Sequence, residues 1–153
     1  MKGVIIAPLF AAIGAAIFSS GACSQVTATN AWVRGTVSGQ TASGAFMELK
    51  SASGAVLLGV ESPLAGSAEI HEMKMEGNVM RMRALSGLDL PPGKNVQLHP
   101  GGYHIMLMGL RQPLKKGEIV PIRLKVRLGD KSTKTIEVKA EVRDLTGASH
   151  PAH

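Results

Sequence analysis

The chain has 153 residues, a formal net charge of +6, one cysteine and only 3% aromatic residues. That length suits a single domain, and one cysteine excludes an internal disulfide framework. The scarcity of aromatics excludes the stacking platforms that hold nucleic acid. The bases are spread through "IRLKVRL" and "KSTKTIEVKAEV", alternating with apolar residues as on the wet face of strands rather than clustering. Such a surface still suits docking to an acidic partner or membrane surface.

Residues 1–22 read as a secretory signal peptide. Lys2 supplies the positive start, residues 4–18 an apolar run, and Ser20-Gly21-Ala22 a small-residue cleavage pattern. The run is short against the ~20 residues that span a bilayer. Export to the periplasm is the expectation, and with it an oxidising compartment. Cys23 follows the cleavage point, where a bacterial lipoprotein would carry its lipid. Ser20, standing where that motif wants leucine, argues against lipidation. Residues 23–145 form the expected domain, and 146–153, with His150 and His153, a flexible tail.

Within the domain, period-two runs dominate. Strands fit "ASGAFMELKS", "AVLLGVES", "SAEIHEMKM", "NVMRMRAL", "NVQLHP" and "YHIMLMGL", while "LDLPPGKN" reads as a loop. A C-terminal hairpin comes next. Ile122, Leu124, Val126 and Leu128 alternate with Arg123, Lys125 and Arg127, and Ile136, Val138, Ala140 and Val142 repeat the pattern after Gly129-Asp130. No segment after residue 22 sustains a helical period. Short strands separated by turns predict an antiparallel sandwich or barrel.

Two stretches carry chemistry. In "SAEIHEMKMEGNVMRMRAL", Gly77-Asn78 makes a two-residue hairpin loop, setting Met75 opposite Met80, Met73 opposite Met82 and His71 opposite Ala84. Alternation then puts His71, Met73, Met75, Met80 and Met82 on one face and Glu72, Lys74, Arg81 and Arg83 on the other, the expected wet side. His71 and Met82 are diagonal neighbours at ~7–8 Å, a gap long side chains close. In "GGYHIMLMGL", His104, Met106 and Met108 share a strand face. If the two faces adjoin, imidazoles and thioethers converge.

Methionine often fills gaps in cores, so packing is the competing explanation. Against it, six of the eight methionines lie between residues 71 and 108, interleaved with His71 and His104 on matching strand faces, where a sandwich core would use Val, Ile, Leu and Phe. Thioether and imidazole together suit Cu(I); Mg²⁺ and Ca²⁺ want oxygen, and zinc is more usually held by His, Cys or carboxylates. A blue-copper centre would need a thiolate, and Cys23 is far from the cluster.

The spacing resembles the PCu(A)C family of periplasmic copper chaperones, whose signature is His, ten residues, Met, twenty-one residues, then His-x-Met. His71, Met82, His104 and Met106 occupy all four positions. The segments "AWVRGT", "LPPG", "PGGYHIMLMGL" and "PLKKGEIVPIRL" extend the resemblance over roughly residues 30 to 128. It implies a cupredoxin-like antiparallel Greek-key β-sandwich, non-enzymatic, that binds Cu(I) through those four residues. By the same resemblance the copper goes to the CuA subunit of cytochrome c oxidase, alongside Sco-type proteins. Met73, Met75, Met80 and Met108 are additional to the motif, and His99 reads as an exposed loop residue. A monomer meets every requirement, and membrane contact would come only through a partner or a lipid on Cys23. The alternatives are a copper-dependent redox protein or thiol reductant, disfavoured by the lack of a second cysteine, and a non-metal interaction module using the methionine face.

Overall fold

Alternating burial builds this molecule strand by strand. In the computed structural model, which describes Gly3 and residues 26–144, ten strands succeed one another. They are β1 (Val26–Arg34), β2 (Ala42–Ser51), β3 (Ala55–Glu61), β4 (Ser67–Glu76), β5 (Val79–Leu85), β6 (Leu88–Leu90), β7 (Asn95–Leu98), β8 (Tyr103–Met108), β9 (Ile119–Leu128) and β10 (Thr133–Arg143). No helix occurs among the described residues. Apart from Gly3, the expected export segment, Cys23 and the tail with His150 and His153 lie outside them.

The strands hydrogen-bond in the order β5-β4-β8-β7-β2-β1-β10-β9-β3-β6, with β8 also pairing β2. The sheet curls until β3 packs against β4, so that one core is enclosed. Val33, Ala45, Leu49, Leu57, Ile105, Leu107, Ile122, Leu124, Val126, Ala140 and Val142 fill it from one face of their strands. The expected C-terminal hairpin is present, with Ile122 opposite Val138 and Leu124 opposite Ile136.

The structure corrects the sequence reading in three places. Most pairings are antiparallel, but β1 runs parallel to β10, with Val33 beside Val142, and Leu98 of β7 meets Tyr103 of β8 in parallel. The expected loop "LDLPPGKN" begins with a strand, β6, whose buried Leu88 and Leu90 flank exposed Asp89. Three residues are too few to show as a period. Strand β1 shows no period in the sequence because its alternation breaks: the register with β2 shifts between Thr29 and Trp32, at Asn30, whose φ is 53°. That bulge reverses the parity of the remainder of the strand. Val26 faces the core before it and Val33 after it, which sends Trp32 to the outer side of the sheet.

These burials separate structural from surface apolar residues. Ile122→Ala should cost about 2–5 kcal/mol of unfolding free energy, as truncations in filled cores do. Met80→Ala, at a position 49% exposed, should cost about 0.5 kcal/mol or less. Urea unfolding measures both; similar costs would contradict the division.

Candidate metal centre

On β8, Ile105 and Leu107 point into the core, so His104, Met106 and Met108 project from the sheet's outer face. On β4, Ile70 points inward, so Glu69, His71, Met73 and Met75 project outward. The two outer rows adjoin, because β4 pairs antiparallel with β8 and sets His71 directly opposite His104. Their ring centroids are 5.7 Å apart, with the planes inclined by 58°. Met106 lies two residues along β8, opposite Glu69. Met82 comes from β5, opposite Met73 and diagonal to His71. All four residues of the signature therefore share one face on three consecutive strands. His99 is exposed in the loop after β7 and bonds the Pro100 carbonyl oxygen (3.0 Å).

The charged face of the hairpin is not simply the wet side. Ile70 and Leu85 share the parity of Glu72, Lys74, Arg81 and Arg83, so that face points toward the core at the hairpin base. Beyond the core's rim both faces meet water: Met75, Met80 and Met82 are 56%, 49% and 51% exposed. Packing does not explain them, and the methionine that does fill the core is Met47. Loop Gly77-Asn78 turns as expected, with Gly77 at φ 65°.

Each imidazole is held by one nitrogen. Glu69 Oε2 lies 2.8 Å from His71 Nε2. A carboxylate only accepts, so Nε2 donates; in the neutral ring the lone pair falls on Nδ1, which is buried without a partner. Gly102 O lies 3.2 Å from His104 Nδ1, which must donate, and leaves Nε2 without a hydrogen bond among the described residues. An anchored imidazole with a bare second nitrogen is the usual state of a metal-ligating histidine. Among the described residues no three His, Cys, Asp or Glu side chains come together to hold a metal. Beside the two imidazoles on this face, the further soft donors are the thioethers of Met82, on the neighbouring strand, and Met106, two residues along β8.

An aromatic row supports the pair. Phe46, 4% exposed although outside the core cluster, lies with its ring 6.3 Å from His104 and 4.5 Å from Trp32. Arg34 sits 5.7 Å above Phe46 and Arg143 5.5 Å above Trp32. Gly44, paired with Met106, leaves room for the Phe46 ring: a Cβ there would lie 2.9 Å from its Cζ. Sequence reasoning missed Glu69, although its place two residues before His71 already puts it on the same face. It also missed Trp32 and Phe46, whose meeting depends on the bulge.

Burial holds the His104 pKa below its ordinary 6.5, opposed by the Gly102 hydrogen bond and reinforced by His71 and Arg34. The unfolded chain then binds a proton that the folded chain resists. Stability from this group is complete above 6.5 and is lost as pH falls below it, until folded His104 is itself protonated. Metal-free protein should unfold at lower urea at about pH 5.5 than at about pH 7.5, and His104→Gln should narrow the difference. An equal loss in both proteins would count against a buried, neutral His104.

A family profile described as "Putative lipoprotein LpqE-like" matches residues 26–142, nearly the whole ten-stranded fold. "Putative lipoprotein Lxx21020" of Leifsonia xyli subsp. xyli is 38% identical over 127 residues, covering 81% of this chain and 73% of that protein. The solution structure of apo-DR1885 from Deinococcus radiodurans is 30% identical with a TM-score of 0.61, covering 94% of this chain and 97% of its own. Its Cu(I) form gives a TM-score of 0.52 at 30% identity over 82% and 85%. The copper-bound PCuAC domain from PmoF2, 21% identical, matches in fold with a TM-score of 0.59 over 78% of this chain and 94% of its own. The ten strands are thus a cupredoxin-like β-sandwich, as expected. The chain belongs to the LpqE-like family, which is of the PCu(A)C type.

Proposed function

We propose that this chain is a periplasmic metallochaperone that binds Cu(I) through His71, Met82, His104 and Met106 and hands it to a partner without chemical turnover. The observation that carries the reading is the facing pair of imidazoles. Each is anchored through one nitrogen and bare at the other, beside methionines that packing does not require. Two neutral nitrogens and two neutral sulfurs form a soft donor set that matches Cu(I) and has little to offer hard cations. Leaving the ion's single positive charge uncompensated favours release, as a carrier needs. The copper-bound forms of DR1885 and the PmoF2 domain support copper as the cargo. Delivery to the CuA subunit of cytochrome c oxidase, alongside a Sco-type protein, is what the family resemblance implies, and a monomer suffices for it.

The lipoprotein names of the family and of the Leifsonia relative favour a second reading of the export segment, in which Cys23 carries a lipid that tethers the carrier to a membrane. Mass spectrometry of the exported protein decides between a free and a diacylated Cys23.

Anaerobic titration of Cu(I) against a chromophoric chelator tests the main reading. Met82→Leu and Met106→Leu should each keep the fold and weaken binding, and the double variant should weaken it further. Glu69→Ala should cost about 10–100-fold in affinity through the loss of His71's anchor. Unchanged affinity in the double methionine variant would reject the ligand set.

A further inference from the structure

The hairpin beyond the imidazole pair carries thioethers that the proposed ligand set does not use. Met75 faces Met80 across β4 and β5, and Met73 lies between that pair and His71 along β4. The two-residue loop is closed by Glu76 and Val79, so these form a hydrogen-bonded pair. Pairs alternate from there, which puts Met75 with Met80, and Met73 with Met82, on the same outer face of the ladder. Met75 and Met80 take the non-hydrogen-bonded position, where opposed backbones approach to ~4.5 Å between Cα atoms and side chains lie closest.

From Met73 to the tip this face carries no charged side chain, and its one carboxylate, Glu69, lies beyond His71 and is bonded to it. The hairpin's outermost carboxylates project from the other side, where Glu76 pairs with Arg81 (2.9 Å) and Glu72 with Arg83 (3.0 Å). Strand β5 ends the sheet, so the methionine row is reached from its edge as well as from the tip. Exposed faces elsewhere obey the ordinary rule: β9 shows Arg123, Lys125 and Arg127 to water, and β10 shows Glu137, Lys139 and Glu141. Solvent-facing methionines at closely opposed positions therefore call for a ligand of their own kind.

We propose that Met73, Met75 and Met80 form a second, all-thioether site for Cu(I) at the hairpin tip. It loads the inner site through Met82, which faces Met73 and is diagonal to His71. The ion moves along one strand face with no change of oxidation state. Three neutral sulfurs hold it more weakly than the mixed set, so the flow runs inward. The cargo is that of the proposed function, but occupation of the tip does not require the inner ligands.

The test is anaerobic Cu(I) titration of residues 24–153, which contain every described strand, with the methionine methyls labelled for NMR. In the wild type, the first equivalent should shift Met82 and Met106, and the second Met73, Met75 and Met80. In His71→Ala/His104→Ala, the tip methyls should still shift, as they should with Ag(I). Met75→Leu/Met80→Leu should bind one equivalent instead of two, with the affinity of the first unchanged and loading from a chelator slowed several-fold. Tip methyls that stay unmoved in both chains would overturn the second site. So would a leucine variant that keeps both equivalents yet transfers poorly to an acceptor, since that marks a protein-docking face. Tip methyls that shift while Met82 and Met106 never do would instead sink the inner site and leave the tip standing.

Discussion

The register between β4 and β8 is the constraint on which the rest depends. His71 meets His104 only because Ile70 is paired with Ile105, and both are sealed into the core on the opposite side of the sheet. A slip of one residue would turn Ile105 out to water and the histidines inward, so the burial that stabilises the fold also holds the imidazoles face to face. Hydrophobic burial is strong and not directional; the alternation of side chains along a strand converts it into placement accurate enough for a binding site.

The site lies on the outer face of the sheet. Its surroundings grade from dry to wet within three strands: His104 is 5% exposed and Met82 51%. The dry end is made by Phe46 and Trp32, clamped under Arg34 and Arg143. It fixes ring orientation and keeps His104 neutral, ready to donate a lone pair. The wet end leaves the Met75, Met80 and Met82 thioethers open to solvent. A carrier needs both properties, since an ion held only by buried groups leaves slowly and one held only by mobile groups is not held selectively. Rigid strands supply the first, and the long, unbranched methionine side chain supplies the second.

Much of this is legible in the residues. Period-two alternation and the Gly77-Asn78 loop put His71 and Met82 on one hairpin face, because a two-residue loop leaves no freedom of register. Which face meets the core is harder to read. Ile70 and Leu85 decide it at the hairpin base, whereas the charged residues further out suggest the reverse. The adjacency of β4 and β8 cannot come from local pattern at all, because pairing between strands distant in sequence is a property of the packed whole; the resemblance through the His/Met spacing conveys it. The aromatic support was hidden for a different reason. The bulge at Asn30 changes the parity of β1, and without it Trp32 would fall on the core face.

The most direct measurement is X-ray absorption at the copper edge on the protein loaded with one equivalent of Cu(I) under anaerobic conditions. Convergence of the two imidazoles and the methionine row on one ion predicts both imidazole nitrogen and thioether sulfur around copper, with the nitrogen contribution lost in His71→Ala/His104→Ala. Sulfur alone in the unaltered protein, or nitrogen and oxygen alone, would contradict a shared His/Met centre.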